Sequence, residues 1–312
     1  MQLTLSNKKI VNAKPFLKWA GGKTQLLEEL DKRLPEKLIE EGAIENYVEP
    51  FVGGGALFFY LKKKYDVKSA YLLDINPELI VSYIAIKRNN KKVIQILKDM
   101  ENEYLRKTND ERSEFYYQVR RSFNKEGKEF DFKRYNAKWP DRAAKLIFLN
   151  KTCYNGLFRQ NSKGEFNVPF GRYNNPTICD ENNIIEVSKA LEDTSIMCAD
   201  FEESSKYIKK GTLVYLDPPY RPLTATSSFT NYAKDGFTDD EQIRLAKFFR
   251  RMDEKGAYLI LSNSDPKNEN PEDQFFDELY KEYHIDRVMA NRMINCQADK
   301  RGYIQELIIT NY

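Results

Sequence analysis

Three short clusters in this sequence hold residue types that could do chemistry. The first is Leu216-Asp217-Pro218-Pro219-Tyr220, just after an apolar run. Two prolines remove two backbone donors and stiffen the turn. What remains is a set of acceptors, the Asp217 carboxylate and the Pro218 carbonyl, beside the ring of Tyr220. Such a group can take both hydrogens of an exocyclic amine while a planar base stacks on the ring. The second cluster is Glu49-Pro50-Phe51-Val52-Gly53-Gly54-Gly55-Ala56. Its glycines let the backbone turn sharply and approach a ligand, and the helix that follows starts with unpaired N–H groups. Asp74 ends the next apolar run, 19 residues after Gly55, where a carboxylate suits a ribose diol. The dinucleotide fingerprint is incomplete, because Phe58 stands where its third glycine would be, and a tight strand–helix turn would look similar. The third cluster is Phe16-Leu17-Lys18-Trp19-Ala20-Gly21-Gly22-Lys23. Trp19 could stack and Lys23 could meet a carboxylate; a helix cap with a core tryptophan reads equally well. The spacing of a P-loop is absent.

The elements that must position these clusters come in two blocks. Short β-branched or aromatic runs bounded by turn residues predict strands at 46–50 and 69–74, then at 195–200, 213–217, 257–264, 283–290 and 303–312. Helical spacing predicts helices at 24–34, 56–64, 78–88 and 239–254. Asn76 suits a helix N-cap with Pro77 at the first position. Strands alternating with helices predict an α/β domain with a largely parallel sheet, and the last two strands, joined without a helix, predict an antiparallel hairpin. Between the blocks the pattern changes. Helical stretches at 93–104, 114–123 and 141–148 are followed by turn signals at Asn155-Gly156, Lys163-Gly164, Gly171 and Asn174-Asn175-Pro176. The expected domains are therefore a catalytic one at 14–90 and 193–312, an inserted, mainly helical one at 91–192, and an N-terminal arm, mobile, at 1–13.

Composition narrows the chemistry. The 312 residues carry a net charge of only +3, with 41% hydrophobic and 31% charged residues, which fits an ordinary globular chain. No apolar run approaches the ~20 residues of a membrane span, and Met1 to Lys9 has no apolar signal region. The cysteines at 153, 179, 198 and 296 form no C-x-x-C pair, so a reducing cytoplasm is expected and a metal site is not. His284 is the single histidine, which leaves little room for histidine-based triads or zinc sites. Charge is uneven: residues 104–175 hold 16 Lys/Arg against 8 Asp/Glu, together with 15 aromatics. That is the look of a nucleic-acid-binding segment, and equally of a solvated helical face over an aromatic core.

Taken in order, K-W-A-G-G-K, E-P-F-V-G-G-G-A, L-D-I-N, C-A-D-F and D-P-P-Y resemble the DNA adenine-N6 methyltransferases of the Dam type. The central N-K-T-C-Y-N-G-L-F-R-Q-N-S-K-G-E-F-N-V-P-F-G-R-Y is similar to theirs too, and the likeness covers about residues 14–312. The resemblance implies a Rossmann-like methyltransferase sheet, S-adenosylmethionine as methyl donor without a metal, and an inserted target-recognition domain. It further implies action on adenine in double-stranded DNA, commonly within GATC, after the base is flipped out of the helix. Carried over by residue, Trp19, Lys23, Phe51, Gly53, Gly55, Asp74, Asp200 and Phe201 would hold the donor. Lys23 would lie near its carboxylate, Asp74 on the ribose, and Asp200 on the adenine amine with Phe201 flanking the ring. Asp217, Pro218 and Tyr220 would be catalytic. Lys18, Tyr154, Asn155, Leu157, Arg159 and Arg172 would contact or wedge the DNA. Here F-R-Q-N follows N-G-L, where relatives vary, and the stretch Phe123–Trp139 is longer than usual.

The same likeness points to a monomer or weak dimer in the cytoplasm of a prokaryotic or phage-infected cell, and to a restriction–modification role. Two other readings stand beside it. An RNA N-methyltransferase could use a related P-P-Y loop but would need an RNA-binding module. A DNA-binding regulator without catalysis would have no use for Asp217, Asp74 and Lys23 together.

Overall fold

The computed structural model describes residues 11–19, 23–221, 237–291 and 303–312. Ala20-Gly21-Gly22, Cys296, Gly302 and residues 1–10 of the expected arm lie outside the described residues. In chain order the elements are α1 (Leu27–Lys32), α2 (Glu36–Glu41), β1 (Ala43–Ile44), β2 (Tyr47–Glu49), α3 (Ala56–Lys64), β3 (Asp66–Val67), β4 (Ala70–Asp74), α4 (Pro77–Leu105), α5 (Asn109–Gly127), α6 (Trp139–Thr152), α7 (Glu181–Ala190), β5 (Thr194–Cys198), β6 (Leu213–Leu216), α8 (Asp239–Glu254), β7 (Tyr258–Ser264), α9 (Phe275–Leu279), β8 (His284–Asn291) and β9 (Tyr303–Thr310). They fold into two compact units. One comprises Met1–Gly22, Gly53–Asp66 and Asp74–Cys198; the other comprises Lys23–Val52, Val67–Leu73 and Ala199–Tyr312.

The second unit is built on a sheet in which strands run in the order β4-β2-β6-β7-β9-β8. β4, β2, β6 and β7 are parallel, and β9 pairs antiparallel with both β7 and β8. This is the Rossmann-like α/β arrangement with a C-terminal antiparallel hairpin. Every residue of Leu213–Leu216 is buried, as a parallel strand covered on both faces requires. Helix α8 lays Leu245, Phe248, Phe249 and Met252 into a core shared with Val214, Leu216, Leu259, Leu261 and Leu307. Its first turn carries Asp239, Asp240 and Glu241, which suit the positive end of the helix dipole. The connection after β2 leads away to one side and that after β6 to the other, so their adjacent carboxyl ends form the switch point where α/β sheets bind ligands.

In the first unit α4 packs along α6. Arg142, 2% exposed, forks onto both carboxylate oxygens of Glu78 and lies 3.6 Å over the Phe123 ring. A buried ion pair is tolerated only when its remaining donors are satisfied, and here the Phe123 carbonyl accepts the third. Asn76 caps α4 from Glu78 N and Leu79 N with Pro77 at the start, as the sequence predicts. The stretches predicted at 78–88 and 93–104 are one element with a kink. Asn89 leaves helical geometry (φ −152°, ψ 58°), and its side chain accepts from Lys92 N at 3.2 Å, restarting the helix like an internal cap. The boundary expected at 90/91 falls beside that kink.

Residues 11–13, expected in a mobile arm, are docked. Val11 and Ala13 are buried, and Asn12 N donates to Glu186 Oε2 at 2.8 Å. Two buried apolar side chains and that hydrogen bond hold the segment against α7. Among the described residues no helix is long and apolar enough to cross a membrane.

Candidate active site

Strand β6 ends in the Asp217-Pro218-Pro219-Tyr220 loop, and within the second unit this loop faces a buried cluster of charges. Lys23 Nζ lies 3.0 Å from Asp217 Oδ1, 2.5 Å from the Tyr220 hydroxyl and 3.7 Å from Glu306 Oε2. Tyr220 in turn donates to Glu306, at 2.8 Å from Oε1. Side-chain exposures of 5% for Lys23, 5% for Glu306 and 19% for Asp217 show which of the three can still meet a ligand. Burial alone would push the Lys23 ammonium down; Asp217, Tyr220 and Glu306 overcome this and hold it above its usual value. Burial pushes Asp217 and Glu306 up, with Lys23 opposing in both cases. The sequence reading set Lys23 beside the donor's carboxylate. In this structure its ammonium lies against Asp217, and a buried ammonium needs carboxylate partners.

The loop is braced from behind. Ser262 Oγ of β7 donates to Asp217 Oδ1 at 3.1 Å and is itself 2.8 Å from the Tyr215 hydroxyl. Gln242 of α8, fully buried, donates to the Pro219 carbonyl at 3.2 Å. Both contacts to Asp217 fall on Oδ1; among the described residues nothing donates to its Oδ2 or to the Pro218 carbonyl. These two acceptors can therefore take the two hydrogens of one amine. In the same unit Phe51, after β2, lies 5.4 Å from Phe201 and 5.7 Å from Phe237 between ring centroids. Asp200 caps the 3₁₀ turn Phe201–Lys206 through Glu202 N at 3.0 Å and also meets Arg244. The Arg244 guanidinium sits 4.2 Å over the Phe201 ring. The partner of Asp200 is thus an arginine that the sequence reading did not weigh.

The other unit carries the glycine turn. Gly53 and Gly55 adopt φ of 45° and 68°, a region costly for any residue with a Cβ. A Cβ on Gly53 would fall 2.9 Å from the Trp19 indole, and one on Gly55 2.6 Å from the Tyr83 hydroxyl. Gly53 N donates to Asp74 Oδ2 at 3.0 Å and Asn76 N to Oδ1 at 2.9 Å. Burial pushes the Asp74 carboxyl up to about 6, against the pull of those backbone N–H groups. These backbone groups leave part of the carboxylate's acceptor capacity free, so it can still accept from a ribose hydroxyl. The bare glycine turn and this carboxylate fit a nucleoside donor such as S-adenosylmethionine.

The same unit holds the candidate DNA-reading loop. Residues 153–171 run out and back, bridged at Cys153–Phe170 and Gln160–Phe166. Helix α5 pins the return: Tyr116 and Arg120 donate to the Val168 carbonyl, and Asn124 donates to that of Phe166. Tyr154 is 57% exposed, large for an aromatic; Asn155, Arg159, Arg172 and Lys18 are exposed and Leu157 half-buried. Among the described residues Asn155 and Arg172 alone, apart from glycines, have positive φ, 59° and 53°, and such strain gathers at functional sites. Arg159 Nε donates to Asn167 Oδ1 at 2.8 Å. Sequence reasoning missed Asn150, 1% exposed, which holds Lys18 N and O at 2.8 and 2.9 Å and the Gly156 carbonyl at 2.9 Å. Trp19 stacks on Phe158, with centroids 5.0 Å apart. Glu306 was missed too; its signal is a lone carboxylate in the apolar run Glu306-Leu307-Ile308-Ile309.

A family model of D12 class N6 adenine-specific DNA methyltransferases matches residues 19–294. A Type II methyltransferase, M.MjaIII, of Methanocaldococcus jannaschii is 50% identical over 303 residues, 97% of this chain and 100% of that one. A second Type II methyltransferase, M1.LlaDCHI of Lactococcus lactis subsp. cremoris, is 38% identical over 99% of both chains. The DNA adenine methylase of Escherichia coli K12 is 33% identical over 94% of this chain and 93% of that protein.

Proposed function

We propose, since the chain belongs to the D12 class of N6 adenine-specific DNA methyltransferases, that it methylates the adenine of GATC in duplex DNA after flipping that base out of the helix. The observation that carries the chemistry is a pair of acceptors, Asp217 Oδ2 and the Pro218 carbonyl, to which nothing among the described residues donates, beside the Tyr220 ring. Adenine N6 is a weak nucleophile because its lone pair is delocalised into the ring. Two acceptors on its two N–H bonds favour a pyramidal nitrogen with the lone pair free. S-adenosylmethionine, when bound, supplies the electrophilic methyl group. The chain's part is positioning and electrostatics: Tyr220 supports the base, and Asp217 accepts the proton that leaves after transfer. Inside a duplex N6 cannot reach these acceptors, and extrusion costs a few kcal/mol.

Trp19, Phe51, Gly53, Gly55, Asp74, Asp200 and Phe201 would hold the donor. Residues 91–192 would form the target-recognition domain, with Lys18, Tyr154, Asn155, Leu157, Arg159 and Arg172 on the DNA. The support for GATC is the resemblance of the N-G-L-F-R and F-G-R-Y segments, together with the exposed side chains and strained backbone there. Similarity to Type II methyltransferases supports a place in a restriction–modification pair. The test is transfer of labelled methyl to GATC duplexes, to duplexes with one base pair changed, and to RNA. Plasmid so treated should become a substrate for an endonuclease requiring methylated GATC. Methyl incorporation without that cleavage would overturn the sequence assignment and leave the reaction standing; transfer to RNA alone would overturn the substrate.

A further inference from the structure

We propose that Glu306 is a positioning residue for the reaction: it takes a share of the Lys23 charge and anchors the Tyr220 hydroxyl, and so keeps Asp217 a strong acceptor for the target amine. The inference rests on the reading of Asp217 given above. Its ground is the arithmetic of charge in a buried place. One ammonium, Lys23, serves two carboxylates, at 3.0 Å from Asp217 and 3.7 Å from Glu306. Were Asp217 its sole partner, the ion pair would saturate that carboxylate and weaken it towards a neutral amine. A second anion beside Lys23 divides the attraction and repels Asp217 electrostatically, which raises the proton affinity of both acids. Tyr220 closes the circuit, accepting from Lys23 at 2.5 Å and donating to Glu306 at 2.8 Å. The ring that would carry the base is thus fixed from β9, far along the chain from the loop.

The groups that face Asp217 come from every element around it: Lys23 ahead of α1, Tyr220 in its own loop, Glu306 of β9, Ser262 of β7, Tyr215 of β6 and Tyr47 of β2. Tyr47 itself donates to Glu49 at 2.8 Å. Of these, Lys23 and Glu306 are the groups whose full charge lies beside the acceptor. Burial raises the Glu306 carboxyl, and Asp217 adds to that rise, as two acids sharing one cation should behave.

The test uses the full chain with saturating donor and duplex DNA, in single turnover, so that product release does not mask chemistry. Glu306→Gln keeps an oxygen to accept from Tyr220 and removes the charge. Its transfer rate should fall about tenfold, and the acid limb of the rate–pH profile should move to lower pH by roughly one unit. Glu306→Asp keeps the charge and should keep the limb where it is. Donor affinity should be unchanged in both. Independently of any variant, carboxyl carbon signals of Asp217 and Glu306 in the unaltered protein should titrate in two shared steps. An acid limb unmoved in Glu306→Gln, or two independent single-step titrations, overturns the proposal. Asp217→Ala run alongside separates the two claims: persistent transfer there means the reading of Asp217 itself is wrong.

Discussion

Replacing Gly55 by alanine should damage this protein more than the same change at Gly42, and the difference can be worked from the structure. Both glycines sit in the left-handed region, with φ of 68° and 63°. An alanine there costs roughly 1–2 kcal/mol in either place. At Gly42 nothing lies within 4 Å of the new Cβ; at Gly55 it would meet the Tyr83 hydroxyl at 2.6 Å and the Phe59 ring at 3.2 Å. Tyr83 is fully buried and donates to the Gly53 carbonyl at 3.1 Å, so it cannot step aside without losing that bond. Overpacking of this kind costs about 1–3 kcal/mol and the bond about 0.5–1.5 kcal/mol. Gly55→Ala should therefore be less stable than Gly42→Ala by about 2 kcal/mol or more in urea denaturation. It should also weaken donor binding, which Gly42→Ala should leave intact. Adding Tyr83→Phe removes the oxygen that clashes and should return part of the loss, a coupling visible in a double-mutant cycle. Equal destabilisation of the two alanine variants would refute the reasoning.

Asp217→Ala should reduce methyl transfer by about 100-fold or more while calorimetry shows donor affinity nearly unchanged; an affinity loss matching that of Asp74→Ala would mean Asp217 faces the donor. Because burial raises the Asp74 carboxyl, to about 6, the ionised form that accepts ribose hydroxyls is lost as pH falls through that value. Donor affinity should fall with it, and Asp74→Asn should flatten the profile; a titration flat down to pH 5 in the unaltered protein would contradict the assignment. Arg159→Ala should cut kcat/KM on the matched duplex by the equivalent of ~1–3 kcal/mol and affect a duplex changed at the outer base pair far less. A uniform loss would make Arg159 a phosphate contact.

Local rules made part of this legible. The stretches 56–64 and 239–254 fold as the helices their spacing predicts, and Asn76 caps α4 as its neighbours Pro77 and Glu78 suggest. Strand positions follow the apolar runs closely, since a parallel strand buried on both faces must be apolar throughout. What escaped was decided by one unexpected local cap and by tertiary partners. The polar Arg88-Asn89-Asn90 reads as a break, yet Asn89 caps the second half and the helix continues. The basic surplus of residues 104–175 is partly internal: Arg142 is spent on Glu78, Lys145 on Glu126 and Asp141, and Lys128 on Glu165. Lys125, Lys133 and Lys138 remain exposed. In the candidate site the residue types of the D-P-P-Y loop suggest an amine acceptor. The charges that tune it, Lys23 and Glu306, lie nearly at opposite ends of the chain, and no local pattern joins them.

The setting of Trp19 has an optical consequence. The chain has two tryptophans. Trp139 is 2% exposed, with its indole N–H bonded to the Asp131 carbonyl at 3.0 Å, so its emission should be blue and indifferent to ligands. Trp19 is half-buried, with its indole next to Gly53 and stacked on the Phe158 ring. One fluorophore thus touches both the turn expected to hold the donor and the loop expected to read the bases. In a Trp139→Phe background its intensity and lifetime would follow the arrival of either ligand in a stopped-flow trace, with no label attached. The order in which donor and DNA bind would then be read from the protein's own light.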